Sequence, residues 1–295
     1  MIIESVPNFS EGRKPEVVEA LAAAARARGV TVLDLSGDRD HHRSVLTFAG
    51  PPGPVEEAAF AVTQKALELI DLTRHQGGHP RMGAIDVLPF VPLRDATLPD
   101  VVALARSVGA RIGADLGLPV FLYEAAATRP ERRNLAELRR PQFEGLRELI
   151  GKDPARVPDF GPNRIHPTGG CIAVGARLPL IAFNIDLDTE DVAVAKKIAS
   201  KIRERDGGLP GIKALGIPLT GRRCAQVSIN VCDYAKTGLL DVFRAVEREA
   251  AALGTKVRAS ELIGLIPRAA FPDDGARLLR LIEFSPRCIL ESHFP

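Results

Sequence analysis

Short apolar runs alternate twice along this chain with longer segments of helical periodicity, and this alternation restricts the fold to the α/β and α+β classes. In the first half the predicted strands are 1–7, 30–35, 44–50, 84–92 and 118–124, and the predicted helices are 14–28, 53–72 and 98–115. The strand at 30–35 is β-branched and apolar, which predicts a buried position. The segment 36–43 (SGDRDHHR) is predicted as a polar loop.

The second half repeats the order of the first. The predicted strands are 178–187, the end of 207–219, 223–234 and a last one from 255, and the predicted helices are 189–205, capped by Asp188, and 236–253. Both halves can be written β-α-β-β-α-β, the split βαβ arrangement. We therefore expect two βαββαβ-like subdomains, 1–177 and 178–295, with a ligand cleft between them. Residues 129–170 are poorly periodic and are interpreted as a connector or a segment covering the ligand.

One predicted strand in the second half has two faces of different character. Its apolar face comprises Ala225, Val227, Ile229 and Val231, and its polar face comprises Gln226, Ser228 and Asn230. The apolar side chains can pack beneath helices. The polar face is equally suited to line a cleft or to face solvent.

Composition and charge exclude several classes of protein. The formal net charge is +2, which argues against a dominant role in binding nucleic acid or membrane surfaces. No apolar run approaches the roughly 20 residues that span a bilayer, and the first residues lack a signal-peptide pattern. Four widely spaced cysteines without a C-x-x-C pair indicate thiols rather than disulfides or a zinc cage. A cytoplasmic protein is expected.

Residues 74–86 (RHQGGHPRMGAID), here called the histidine loop, carry two histidines four positions apart. A helix would aim both at one metal, but two glycines between them and Pro80 after them oppose a helix. No metal site is therefore predicted. The glycines let the backbone approach a ligand closely, and imidazole can move protons near neutral pH. Spacing alone leaves a catalytic His79 and a simple turn as equal alternatives.

Five motifs, in order along the chain, resemble the formiminotransferase domain of the tetrahydrofolate-dependent glutamate formimidoyltransferase family. They are VPNFSEG at 6–12, DLTRHQGGHPRMGAIDVLPFVP at 71–92, PDFGP at 158–162, IAFNIDL at 181–187 and AQVSIN at 225–230. The resemblance implies folate bound between two α/β subdomains of a homodimer, with His79 as the catalytic residue. It also implies that GPNRIHPTGG at 161–170, here called the glycine segment, contacts folate through Gly161, Pro162, Asn163, Arg164, Ile165, His166, Pro167, Thr168, Gly169 and Gly170.

The implied reaction moves a formimino group from N-formimino-L-glutamate to tetrahydrofolate, a co-substrate, and releases L-glutamate. His79 would act first as base and then as acid. The donor is a dicarboxylate, so Arg43, Arg81 and Arg164 are candidates to grip it. Asp86 would either orient His79 or face solvent. Gln226 and Asn230 are further substrate-binding candidates.

Several features depart from the family pattern or admit other functions. His41 and His42 are expected to be solvated, with substrate contact as the alternative, and His75 is expected to shape the loop. The basic run 129–140 is interpreted as a solvated helix face or, alternatively, as a site for a polyglutamate tail. The downstream cyclodeaminase is expected to be a separate protein. The competing functions are a related folate enzyme acting on 5-formyltetrahydrofolate or a formylated amino acid, a non-catalytic folate-binding protein, and a structural interaction module.

Overall fold

The computed structural model describes residues 1–39, 42–77 and 80–293. The chain is a mixed α/β protein, as the sequence predicts, and it divides into two compact units, Met1–Arg177 and Leu178–Pro295. Within the described residues, none of the helices is both long enough and apolar enough to cross a membrane.

The first unit is built on one seven-stranded sheet. Its elements are β1 (Ile2–Ser5), β2 (Asn8–Phe9), α1 (Pro15–Arg26), β3 (Thr31–Asp38), β4 (Arg43–Gly50), α2 (Pro52–Leu69), β5 (Ile85–Arg94), α3 (Leu98–Asp115), β6 (Val120–Glu124), α4 (Leu135–Arg139), α5 (Gln142–Leu149) and β7 (Ile172–Ala176). The antiparallel strands run in the order β3, β4, β1, β5, and β2 also pairs with β4 and β5. Strands β7 and β6 extend the sheet parallel to β5.

The two faces of this sheet bury two separate apolar clusters. Val120 and Leu122 join the main core with α1, α2 and α3, whereas Phe121 and Tyr123 join a smaller cluster with α4 and α5. Alternate residues of a strand point to opposite faces, so both faces of β6 are covered. The smaller cluster is the one that lies next to the histidine loop, because it also contains Met82.

Three predictions for the first half were wrong in detail. Strand β3 extends through Asp38 into the predicted loop, and its residues are exposed or half-buried because it pairs only with β4 at the edge of the sheet. The buried strand β7 was not predicted, since it is short and contains Gly175. The connector 129–170 contains two helices, α4 and α5.

The second unit has the predicted β-α-β-β-α-β order. Its elements are β8 (Ile181–Leu187), α6 (Val192–Ile202), β9 (Ile212–Leu219), β10 (Cys224–Val231), α7 (Leu239–Ala252), β11 (Val257–Ile263) and α8 (Gly275–Leu278). All pairings in its sheet, β11-β8-β10-β9, are antiparallel. The predicted apolar face of β10 is confirmed, since all four of its residues lie in the core. The cap of α6 is Asp191 rather than Asp188, and it accepts a hydrogen bond from the backbone N–H of Ala193 at 2.8 Å.

The two units share one strand order. In each βαββαβ core the first strand pairs with the third and the fourth, and the second strand pairs with the third at an edge. The first unit differs by adding β2, β6 and β7. Strands β2 and β7 both pair with β5, whose first residues belong to the histidine loop.

Candidate active site

The histidine loop is hydrogen-bonded to the end of the glycine segment. The N–H of Leu72, just before the loop, donates to the carbonyl of Thr168 at 2.9 Å, and the N–H of Ala84 donates to the carbonyl of Gly169 at 2.9 Å. The two segments are about 90 residues apart in sequence, yet they form one continuous backbone surface. The structure therefore brings together the two motifs that the family resemblance singles out.

Glycines make this close contact possible. A Cβ at Gly83 would overlap the carbonyl oxygen of Cys171, and a Cβ at Gly170 would overlap the carbonyl oxygen of Met82. Gly170 also has a φ of +72°, in the left-handed region that favours glycine. These two glycines are required by the packing of the two segments against each other.

His75 is held in one neutral tautomer. The Nε of Arg81 donates to His75 Nδ1 at 3.0 Å, and His75 Nε2 lies 2.9 Å from the carbonyl oxygen of His42. A guanidinium can only donate, so Nδ1 is the acceptor and Nε2 carries the proton. Burial lowers the pKa of His75, which favours the same neutral form. Both ring nitrogens are occupied, so His75 fixes the entry to the loop.

His42 holds the other side of the same segment and is not solvated, contrary to expectation. Its ring stacks on His75 with centroids 4.2 Å apart. Its Nε2 lies 3.0 Å from Glu11 Oε1, and its Nδ1 lies 3.0 Å from the carbonyl oxygen of Gln76. Both partners are acceptors, so each of them can accept a hydrogen bond from a ring nitrogen of His42. Burial acts to raise the pKa of Glu11, but two backbone N–H groups before α1 and His42 itself bring it below its ordinary value.

Arg81 anchors the exit of the loop. Its two terminal nitrogens donate to the two carboxylate oxygens of Glu144 at 2.9 and 2.6 Å, and its Nε donates to His75. The hydrogen bond from Arg81 lowers the pKa of Glu144. Arg81 is 9% exposed. The guanidinium of Arg81 was a candidate to bind the carboxylates of the formimino donor, but its two terminal nitrogens already bind the carboxylate of Glu144.

Asp86 is fully buried, so it does not face solvent. Its Oδ1 accepts the backbone N–H of Met82 at 2.8 Å. Its Oδ2 accepts from Nη1 of Arg43 at 2.7 Å and lies 3.1 Å from Nη2 of Arg139. Burial acts to raise the pKa of Asp86, but the two guanidiniums and the Met82 N–H hold it below its ordinary value. Asp86 is therefore a buried carboxylate that joins the loop to two arginines.

Comparisons with known proteins identify the family of this chain. The chain matches the formiminotransferase domain, N-terminal subdomain, over residues 2–177 and the formiminotransferase domain over residues 182–280. The chain belongs to the formiminotransferase family. It is 47% identical over 295 residues to a glutamate formimidoyltransferase of Streptococcus pyogenes serotype M1, covering 99% of this chain and 98% of that one.

Two other relatives extend the comparison. A glutamate formimidoyltransferase of Thermoplasma acidophilum is 43% identical over 293 residues, covering 98% of this chain and 96% of the relative. A formimidoyltransferase-cyclodeaminase of Sus scrofa is 40% identical over 281 residues, covering 93% of this chain but 52% of the relative.

His79, which the sequence analysis predicts to be catalytic, lies outside the described residues, as does His41. What the structure describes is how the loop is held on both sides of it, through His75 and Arg81. Among residues 1–39, 42–77 and 80–293, no group of three or more His, Cys, Asp or Glu could hold a metal ion.

The ten residues of the glycine segment differ in exposure. Gly161, Asn163, Arg164 and Pro167 are exposed, Pro162, Ile165, His166 and Thr168 are half-buried, and Gly169 and Gly170 are buried. His166 closes the turn: its backbone pairs with Gly170 in both directions at 3.0 Å, and its Nδ1 accepts the N–H of Gly169 at 2.9 Å. Burial lowers the pKa of His166. Asn163 and Arg164 are the polar side chains that this formiminotransferase segment leaves exposed.

The two candidates in the second unit lie on the polar face of β10. Gln226 is 2% exposed, and its Nε2 donates to Asp186 at 2.7 Å and to Glu261 at 3.0 Å. Arg222 binds the same two carboxylates. The amide protons of Gln226 are therefore committed inside the unit, whereas Asn230 is exposed near the end of the strand.

Sequence reasoning missed several residues that hold the site. Glu11 lies within the VPNFSEG motif but carried no signal beyond that motif. Glu144 and Arg139 lie in a region without periodicity, and their partners are more than 50 residues away in sequence. Arg132 in the basic run is buried and paired with Asp159, so that run is not a uniformly solvated face.

Proposed function

We propose that this chain transfers the formimino group from N-formimino-L-glutamate to tetrahydrofolate, giving 5-formiminotetrahydrofolate and L-glutamate. Similarity over nearly the full chain to two proteins named glutamate formimidoyltransferase supports this reaction. The observation that carries the proposal is the backbone pairing of the histidine loop with the glycine segment. That pairing joins the loop of the proposed acid–base residue to the segment proposed to contact folate.

The role of His79 in this proposal is proton transfer. A nitrogen of the reduced pterin attacks the formimino carbon and forms a tetrahedral intermediate, and the bond from that carbon to the glutamate nitrogen then breaks. The attacking nitrogen loses a proton and the departing nitrogen gains one. One group with a pKa near neutrality can accept the first proton and supply the second. His75 is excluded from this role because both of its ring nitrogens are occupied.

The fixed ends of the loop support this role. Arg81, bound to Glu144 and His75, and His42, bound to Gln76, hold the segments before and after Gly78 and His79. A catalytic group works best when its surroundings hold it near the reactive geometry, because proximity is gained before the reaction starts. In this proposal the hydrogen bonds of Arg81 and His42 to the histidine loop position His79.

The proposal also includes parts that concern the whole molecule. Tetrahydrofolate acts as co-substrate, with Asn163 and Arg164 of the glycine segment as its exposed polar contacts. The protein acts as a cytoplasmic homodimer, and a cyclodeaminase activity acts downstream on the formiminofolate product. Relatives named formimidoyltransferase-cyclodeaminase support the last part, since their names join the two activities. Light scattering after gel filtration tests the dimer directly.

The test is turnover of the purified protein with tetrahydrofolate and N-formimino-L-glutamate, with acid conversion of the product for detection. One parallel reaction contains a chelator in addition to both substrates. In two others, 5-formyltetrahydrofolate or a formylated amino acid replaces N-formimino-L-glutamate as the donor. Product from formiminoglutamate that survives chelation is expected. Turnover with a formyl donor alone, or saturable folate binding without turnover, would replace the proposed reaction by one of the competing functions.

A matched pair of variants tests His79. His79→Ala is expected to lower kcat by about 10²–10⁴ while the protein stays folded. His293→Ala is the control, because His293 is a half-buried histidine of the second unit, and its Nε2 lies 2.8 Å from the carbonyl oxygen of Arg287. A folded His79→Ala protein with most of its turnover would remove the proton-transfer role.

A further inference from the structure

Arg43 and Arg139, here called the arginine pair, share one carboxylate. Both guanidiniums contact Oδ2 of Asp86, at 2.7 and 3.1 Å. Arg43 has a second partner, Asn8, whose neutral Oδ1 accepts from Nε at 3.2 Å and from Nη2 at 2.9 Å. Within residues 1–39, 42–77 and 80–293, Asp86 is the carboxylate found within ion-pair distance of either guanidinium.

The arginine pair therefore carries an excess positive charge in a buried place. The side chains of Arg43 and Arg139 are 11% and 13% exposed, and that of Asp86 is fully buried. The Nε of Arg139 is buried without a hydrogen-bond partner. Burial of a net charge and of an unpaired guanidinium N–H is costly. A bound anion would offset this cost, because it would neutralise the excess charge and could accept the unpaired N–H.

Neighbouring acidic groups do not supply that anion. Burial raises the pKa of Tyr123 to about 12, so its phenol is neutral at physiological pH. Burial also raises the pKa of the Cys171 thiol well above its ordinary value, so it too is neutral. The charge left over on the arginine pair is thus available to a group from outside the protein.

The position of the pair points to the reaction proposed above. Asp86 also accepts the N–H of Met82, three positions after His79 in sequence. Arg43 begins β4 and Arg139 ends α4, so the two guanidiniums reach the exit of the histidine loop from different elements. Arg81 is nearer to His79 in sequence, but Glu144 and His75 already occupy its donors.

We infer that Arg43 and Arg139, held by Asp86, form a carboxylate subsite that binds the glutamyl group of the formimino donor and of the released L-glutamate. The inference rests on the proposed function, and Arg139 is its new element. A guanidinium is well suited to a carboxylate because its N–H groups are parallel, and Arg139 has a buried Nε that makes no hydrogen bond within the protein. The tail of folate also ends in a glutamyl group, so the test must separate the two sources of the same chemistry.

The first measurement is calorimetric binding of L-glutamate to the unmodified protein and to Arg139→Gln, without folate. Wild type is expected to bind L-glutamate and to discriminate against L-glutamine, which lacks the side-chain carboxylate. Loss of charge-assisted hydrogen bonds from Arg139 is expected to weaken L-glutamate about tenfold to a hundredfold. Arg140→Gln is the matched control, because Arg140 is the next residue, with a side chain 73% exposed and paired with Glu137.

The second measurement separates donor from folate. In steady-state assays Arg139→Gln is expected to raise the KM of N-formimino-L-glutamate by a similar factor and to leave the KM of tetrahydrofolate unchanged. Tetrahydropteroate, which has no glutamyl tail, replaces tetrahydrofolate in a third arm. A variant effect on tetrahydrofolate that disappears with tetrahydropteroate would overturn the assignment to the donor.

The remaining outcomes distinguish this inference from the proposed function. Wild type without formimino transfer but with glutamate binding that Arg139→Gln weakens would reject the function and keep the subsite. Normal transfer in wild type with unchanged donor KM and unchanged glutamate affinity in Arg139→Gln would reject the subsite alone. If Arg139→Gln unfolds, Arg139→Lys keeps a cation beside Asp86 but not the planar fork. Wild-type glutamate affinity in that lysine variant would overturn the inference.

Discussion

Replacement of Glu4 by glutamine should stabilise the first unit at high pH and not at low pH. Glu4 lies on β1, directly opposite Ala49 of β4 and Val91 of β5, and both of these neighbours are fully buried. The residue Glu4 is 7% exposed. Burial raises its pKa from 4.5 to about 7, and Arg177 offsets only part of that effect.

The size and sign of the effect follow from linkage. Between about pH 4.5 and 7 the unfolded chain has lost the Glu4 proton while the folded protein keeps it. The folded state binds more protons in this window, so the free energy of unfolding falls as the pH rises through it. At 1.36 kcal/mol per pKa unit the whole shift corresponds to about 3 kcal/mol. Glu4→Gln cannot ionise and escapes this loss.

Urea unfolding at about pH 4 and at about pH 8.5 measures the difference. The chain contains two tyrosines and no tryptophan, one tyrosine in each unit, so a Tyr234→Phe background leaves Tyr123 as the fluorescent reporter of the first unit. The stability advantage of Glu4→Gln over wild type is expected to be about 3 kcal/mol larger at the higher pH. Parallel stability curves for the two proteins would refute the reasoning. Glu148→Gln is the control, since its side chain is 78% exposed and its removal should cost less than about 0.5 kcal/mol.

Three further changes test the packing of both units. Asp86→Asn removes the carboxylate between two buried guanidiniums, so chemical denaturation should show a loss of about 3–5 kcal/mol; a loss below 1 kcal/mol would contradict the buried pairing. Gly175→Ala places a methyl group against the ring of Tyr123, and should lower stability by about 1–3 kcal/mol with a changed near-ultraviolet tyrosine signal. Asp191→Ala removes the cap that binds the N–H of Ala193 and should cost about 1 kcal/mol in the second unit alone, as hydrogen exchange in α6 would report.

Local signals correctly predicted five helices, α1, α2, α3, α6 and α7, and most strands. Thr97, followed three residues later by Asp100, matches the capping-box pattern of a helix start, and at the start of α3 the carboxylate of Asp100 accepts the backbone N–H of Thr97 at 2.8 Å. The alternation along β10 predicted which residues enter the core. Two predictions from the sequence were wrong because they depend on strand pairing. The apolar strand β3 is not buried because it lies at an edge of the sheet, and the short strand β7 is stabilised by pairing with both β5 and β6.

The candidate site was predicted in its motifs but not in its contacts. The resemblance named His79 and the glycine segment, and the structure shows that their two segments are joined by backbone hydrogen bonds. The role of Arg81 could not be read from its spacing, because its partner Glu144 lies 63 residues further along the chain. The contacts of Asp86 with Arg43 and Arg139 could not be predicted either, because both arginines are distant from it in sequence.

The sequence by itself determined the order of elements within the two βαββαβ cores, the apolar face of β10 and the motifs of the formiminotransferase family. These features depend on residues a few positions apart, where periodicity and capping act. Only the tertiary structure decided the tautomer of His75, the occupation of Arg81 and the excess charge around Asp86. Each of these depends on which donors and acceptors from distant parts of the chain come within hydrogen-bond distance, and no local sequence pattern encodes those contacts.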